Sequence, residues 1–243
     1  MTTQLSAPVL TGRQAAVPHP LDPLSPEEIR AAAIVLGKEK NLASSARFVM
    51  ISLQEPPKPL PTSPRALFVG VLERYKNVDG LAEAWRRAAP RVPGSQLHVV
   101  GSGTLRPVVE QLVEDLPART SWTERLTPSE VAAALDESTL LVLPSRSEGM
   151  GRVIVEAFCR ARPVVATRVG GIPDLVQDES NGLLVEPGDT DGLADALVRV
   201  LDGRELAERL GAGAHSSAAL WTVSPEDFAS RLRDLVGRIA GLS

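Results

Sequence analysis

Two carboxylates eight positions apart, Glu148 and Glu156, flank or follow the glycines of PSRSEGMGRVIVEAF, residues 144 to 158. A carboxylate is acceptor-only, with two oxygens to offer. Glu148 is therefore suited to the hydroxyls of a ligand, and Glu156, one turn on from Arg152, can take both hydroxyls of a diol. Gly149 and Gly151 let backbone amides approach a ligand with no side chain between. They stand where a helix begins, so unpaired N–H groups and the helix dipole favour an anion there. The chemistry these types suit is a grip on something anionic and rich in hydroxyls. The same spacing has a plainer use, because Arg152, Glu156 and Arg160 lie four apart and could form a solvated row of ion pairs.

Such residues work together only if the chain gathers them, and the pattern of apolar runs indicates how. ALFVG (66 to 70), QLHVV (96 to 100), a short run at 119 to 122, TLLVL (139 to 143), PVVAT (163 to 167) and GLLVE (182 to 186) read as strands. Helical stretches separate most of them, starting near 78, 104, 128 and 152, with others at 189 to 202, 203 to 211 and 225 to 240. Thr127-Pro128-Ser129-Glu130 is a capping box. Apolar strands alternating with helices predict an α/β fold, a doubly wound parallel sheet of Rossmann-like type. Ligands of such sheets bind beyond the carboxyl ends of the strands. Three loops meet that condition: residues 71 to 76, Gly101-Ser102-Gly103, and 144 to 151. Gly-Ser-Gly alone would suit a plain turn equally well.

PPKPLPTSP, residues 56 to 64, has five prolines in nine positions and predicts an extended spacer. The expected organisation is an appendage over 1 to 58, a linker over 59 to 64 and the main domain over 65 to 243. The appendage is small and α+β, with a helix from Ser25 to Gly37 and a strand at 47 to 53. It holds too little apolar area to fold alone.

Composition narrows the partners. With 26 basic and 30 acidic residues and no block of like charge, nucleic acid is not an expected partner. The single cysteine, Cys159, excludes an internal disulfide and suits a reducing compartment; its type predicts a small residue on a packed helix. No stretch approaches the roughly 20 apolar residues of a membrane span, and the first twenty residues lack a signal-peptide pattern. The expected location is cytoplasmic. His19, His98 and His215 have no metal-ligand spacing, and no metal is expected. Asp189-Thr190-Asp191 precedes GLADALVRVL and predicts a helix cap.

Taken in order, Phe68-Val69-Gly70 with Lys76, Val99-Val100-Gly101-Ser102-Gly103, Pro144-Ser145 with Glu148-Gly149-Met150-Gly151, Glu156-Ala157, Pro163 to Ala166, Val169-Gly170-Gly171-Ile172-Pro173 and Asn181 to Val185 resemble the C-terminal half of the retaining glycosyltransferases of family 4. The resemblance covers residues 64 to 243 and implies the C-terminal domain of a GT-B fold. It implies a nucleotide-diphosphate-sugar donor, no cofactor and no metal. Lys76, on the diphosphate, and Glu148, near the donor sugar, are the implied catalytic residues. The donor-binding residues expected are Gly70, Arg74, Gly101, Gly103, Trp122, Gly149, Met150, Gly151, Arg152 and Glu156, with Glu156 implied on the ribose; Trp122 ends a strand on the ligand side and could border a base, although core or rim packing is its plainer use. Lys76 and the helix start would stabilise the leaving diphosphate during transfer with retention.

Two departures accompany the resemblance. Val71 stands where the family commonly has an arginine, which leaves Arg74 or Arg152 to supply that charge. Residues 1 to 63 are too short for the family's acceptor domain, so the acceptor is unknown and a separate chain could contribute it. Residues 19 to 58, with His19-Pro20-Leu21-Asp22-Pro23-Leu24-Ser25-Pro26, Arg47-Phe48-Val49 and Glu55-Pro56-Pro57-Lys58, instead resemble a peripheral N-terminal domain of copper amine oxidases. The quinone setting of that family is missing, and Tyr75 is the one tyrosine. A nucleotide-binding module without turnover, or an inactive fusion, is the alternative to a hexosyltransferase.

Overall fold

The computed structural model describes residues 58–222. By internal contacts the chain divides into Met1–Glu55 and Pro56–Ser243, and all described residues belong to the second unit. The expected helix from Ser25, the strand at 47 to 53 and the helix at 225 to 240 lie outside the described residues.

Six strands, β1 (Arg65–Val69), β2 (Gln96–Val100), β3 (Thr120–Thr123), β4 (Leu140–Leu143), β5 (Val164–Thr167) and β6 (Gly182–Val185), form one sheet in the order β3-β2-β1-β4-β5-β6. Every pairing is parallel. The helices among the described residues are α1 (Val78–Ala88), α2 (Arg106–Asp115), α3 (Pro128–Asp136), α4 (Arg152–Cys159), α5 (Ile172–Leu175), α6 (Thr190–Asp202) and α7 (Arg204–Trp221). This is the doubly wound α/β fold that the apolar runs predict. The chain winds outward from β1 to β3, then returns to place β4 on the other side of β1. That reversal opens a crevice above the ends of β1 and β4.

Strand residues alternate between two cores. Ala66, Phe68, Leu140, Val142 and Val165 face a layer that includes Leu81 and Trp85 of α1 and Leu193, Leu197 and Val200 of α6. Leu67, Leu141, Leu143, Val164 and Ala166 face Leu135 of α3, Ile154 and Phe158 of α4, and Ala214 and Ala218 of α7. Burial on both faces is why these strands read as unbroken apolar runs.

The predicted caps form. Thr127 accepts from the Glu130 N–H while the Glu130 carboxylate takes the Thr127 N–H, the reciprocal pair that starts α3. Asp189 accepts from the Gly192 N–H at 2.8 Å and starts α6, and Asp191 pairs with Arg87 of α1. These two aspartates are thus held in structural contacts.

Two local expectations need correction. The helix expected to stop at residue 211 continues as α7 to Trp221. Gly211 and Gly213 lie inside it at close approaches: an added Cβ would stand 2.5 Å from the Ala161 carbonyl oxygen and 2.1 Å from that of Ser180. Cys159, expected on a packed face, is the exposed last residue of α4.

The proline-rich segment is tied down from residue 58 onward. Lys58 pairs with Asp136 at 2.9 Å, and Arg204 donates to the Pro61 carbonyl at 3.2 Å. Arg162, fully buried, donates to the carbonyls of Leu135, Asp136 and Pro59 at 3.0, 3.0 and 3.3 Å. It thereby satisfies orphan carbonyls at the end of α3 and holds the segment against that end.

Candidate functional site

The loops after β1 and β4 are stitched together above the crevice. The Tyr75 carbonyl accepts the N–H groups of Arg146 and Ser147 at 2.7 and 3.4 Å, and Arg146 pairs with Asp79 at 2.8 Å. Arg74–Lys76 forms a single 3₁₀ turn that passes into α1 through Asn77, whose φ of 56° is left-handed. Asparagine tolerates that conformation better than most residues. The turn aims Lys76 across the crevice, where its ammonium pairs with the Glu148 carboxylate from the other loop. The two side chains are only 14% and 13% exposed, so the pair is largely shielded from water. Gly70 lies behind the lysine stem, with an added Cβ placed 3.8 Å from Lys76 Cε.

Beside this pair opens a cleft of about 520 Å³. Lys76, Glu148, Arg152 and Glu156 supply its charge, Val69, Leu126, Val131 and Val153 supply apolar wall, and Met150, Gly151 and Pro128 complete it. Arg152 and Glu156 are exposed, and among the described residues neither has a hydrogen-bond or ion-pair partner. The expected alternative, a row of ion pairs along α4, is not formed: Arg160 pairs with Asp136 at 2.7 Å. Gly151, at φ 63°, is the N-cap of α4 and contributes no side-chain cap. The N–H groups of Gly149, Met150 and Gly151 have no acceptor among the described residues. An added Cβ at Gly149 would meet nothing within 4 Å, so the chain is open on that side of Gly149.

The loop after β5 fixes the turn from beneath. Gly170 and Gly171 lie so close that a Cβ would fall 1.8 Å from the Glu148 carbonyl oxygen and 2.2 Å from that of Gly149. The Gly171 N–H donates to both carbonyls, at 3.3 and 3.1 Å.

Residues 63–203, more than half of the chain, match the family described as "Glycosyl transferases group 1". The chain belongs to this family. Among curated relatives of this glycosyltransferase chain, the alpha-D-kanosaminyltransferase of Streptomyces kanamyceticus is 35% identical over 62% of this chain and 40% of its own length. The D-inositol 3-phosphate glycosyltransferase of Nocardia farcinica is 33% identical over 75% of this chain and 44% of its own. The chain thus spans less than half the length of these relatives. Its fold superposes on TarM with a TM-score of 0.67 at 23% identity, covering 76% of this chain and 37% of that one. It also superposes on the C-terminal domain of a glycosyl transferase group 1 family protein, LpcC, from Francisella tularensis, with a TM-score of 0.62 at 22% identity. There the coverage is 68% of this chain and 89% of that domain. The match to the family begins at residue 63, and nothing in the comparisons supports the amine-oxidase resemblance of residues 19 to 58, which apart from Lys58 lie outside the described residues.

Within the glycosyltransferase domain, the expected site residues fall into two groups. Lys76, Glu148, Met150, Gly151, Arg152 and Glu156 line the cleft together, Gly149 adjoins them in sequence without lining it, and Gly70 lies behind Lys76. Arg74, Gly101, Gly103 and Trp122 are not among the lining residues. An added Cβ at Gly101 would stand 1.8 Å from the Gly70 carbonyl oxygen, and one at Gly103 2.6 Å from that of Leu72, so both glycines serve contact between the β1 and β2 loops. The Trp122 indole N–H donates to the Gly101 carbonyl at 2.9 Å, and Arg106 covers its ring at 4.7 Å. Of the two arginines that could replace the charge missing at Val71, Arg152 is the one in the cleft. Leu126, Val131 and the Gly170-Gly171 pair escaped sequence reading as site residues, because their roles depend on which loops meet.

No helix among the described residues is long and apolar enough to cross a membrane.

Proposed function

We propose that this chain is the donor-binding half of a family-4, GT-B-type glycosyltransferase, moving a hexose from a nucleotide-diphosphate sugar to an acceptor with retention. One observation carries the reading: the cleft that holds Lys76 and Arg152 is also lined by Met150 and Gly151, whose N–H groups, with that of Gly149, have no acceptor among the described residues. Such a cluster of donors and positive charge suits a diphosphate. Glu156, unpaired one helical turn below Arg152, is placed to take the ribose diol. Leu126, Val131 and Val153 offer a wall to the flat face of a base. Glu148 is placed for a hydroxyl of the donor sugar.

In the proposed reaction, the bond between the anomeric carbon and the phosphate oxygen breaks and the nucleoside diphosphate leaves with the bonding electrons. The acceptor hydroxyl attacks the same face of the sugar, forms the new glycosidic bond and passes its proton to the leaving phosphate. Lys76 and the amides at the start of α4 stabilise the charge that grows on the leaving group. The acceptor and the groups that orient it are assigned to a second domain or chain. Under the same proposal the organisation remains an appendage over 1 to 58, a linker over 59 to 64 and the donor domain over 65 to 243.

A thermal-shift comparison tests this reading. UDP-, GDP- and ADP-sugars are added to the wild-type chain and to Glu156→Ala. A ligand at about a hundred times its dissociation constant contributes roughly 2.7 kcal/mol to stability. At least one donor should raise the wild-type melting temperature by several degrees, with a smaller rise for the variant. No shift with any of them removes the proposal, and a shift without hydrolysis or transfer favours a binding module.

A further inference from the structure

The Glu148 carboxylate is held asymmetrically. Its Oε2 accepts from both the Lys76 ammonium and the Ser145 hydroxyl, the latter at 3.3 Å, while Oε1 has no partner among the described residues. Ser145 lies two residues past the end of β4 and is fully buried. Its own carbonyl is gripped by the hydroxyl of Thr167, at the end of the neighbouring strand β5 and also buried. A line of hydrogen bonds therefore runs from the sheet through Thr167 and Ser145 to the side chain of Glu148, while the Gly171 N–H secures the Glu148 backbone.

We propose that Ser145 is a positioning residue, which keeps Glu148 aimed into the cleft when a diphosphate draws Lys76 away. The inference rests on the function proposed above and concerns a step within it. Without ligand, the lysine neutralises the glutamate and dominates its position. A bound diphosphate competes for the same ammonium, because one lysine on a flexible stem cannot keep its best geometry toward both anions. The carboxylate then loses its strongest donor in a largely shielded place, and among the described residues the Ser145 hydroxyl is the donor that remains. At 3.3 Å that bond is longer than the usual O–H···O distance, so it can shorten when the lysine lets go. Because both existing bonds go to Oε2, Oε1 stays free to accept a sugar hydroxyl. Arg152 and Glu156 are the other charged groups lining the cleft.

The test is a ratio of affinities, measured by isothermal titration with UDP, GDP or ADP and with the matching nucleotide hexose. Ser145→Ala should bind the nucleoside diphosphate within about twofold of wild type, yet bind the nucleotide hexose at least about tenfold more weakly, the scale of one hydrogen bond to a charged group. Thr167→Val should move the ratio the same way by less. Equal weakening of both ligands, or no change in either, overturns the proposal. If the wild type binds no nucleoside diphosphate, the function proposed above fails, and a ligand-free measurement still judges Ser145. In the Lys76→Met background, the melting-temperature losses of Ser145→Ala and Glu148→Ala should miss additivity by about 2 °C or more. Additive losses there overturn the role of Ser145 whatever binds.

Discussion

Lys76→Met should weaken binding of a nucleoside diphosphate by about tenfold to a hundredfold, the worth of one charge-assisted hydrogen bond to phosphate. It should also lower stability, because it leaves Glu148 only 13% exposed with no opposite charge beside it. Removing one partner of a shielded ion pair costs more than removing both, since the survivor keeps its desolvation penalty. The double variant Lys76→Met, Glu148→Gln should therefore recover much of the lost melting temperature while leaving the binding loss in place. Calorimetric titration and thermal melts separate the two effects. Unchanged diphosphate affinity in Lys76→Met would contradict the role assigned to the lysine.

Gly170→Ala should be the most damaging single-methyl change near the cleft. At φ 51°, left-handed backbone alone costs about 1–2 kcal/mol for a residue with a Cβ. The new methyl would also fall 1.8 Å from the Glu148 carbonyl oxygen and 3.0 Å from its carbon, both backbone atoms of the turn that carries the carboxylate. One of the two loops must shift, so loss of stability and loss of donor binding should appear together. Gly149→Ala is the control, with open space around its added Cβ. Urea melts should find the first variant clearly destabilised and the second within about 0.5 kcal/mol of wild type. Two equal melts would contradict the packing described here.

The contrast between these glycines shows what the sequence could and could not convey. Runs such as Leu140–Leu143 announce strands because both faces of the sheet are covered. Thr127 and Asp189 announce helix starts because a cap depends on neighbours three residues away. Glu148, Gly149, Gly151 and Glu156 were legible for a similar reason: they share one turn and one helix. The pairing of Lys76 with Glu148 spans 72 positions and depends on strands β1 and β4 becoming neighbours, which no local pattern encodes. Gly101 and Gly103 are ambiguous in the same manner. A glycine that admits a ligand, one that ends a helix and one that admits another backbone look alike until the facing segment is known. Trp122 likewise offers an aromatic face that suits a base, yet its N–H bonds to Gly101 and Arg106 covers its ring.

The most direct measurement is a crystal structure of this chain with a bound nucleoside diphosphate, chosen as the one that raises the melting temperature most. The expected result is a diphosphate within hydrogen-bonding distance of the amides at 149 to 151, with Lys76 Nζ turned from Glu148 toward it and the ribose hydroxyls on Glu156. A diphosphate seated elsewhere, with the Lys76–Glu148 pair intact and those amides bare, would contradict the account.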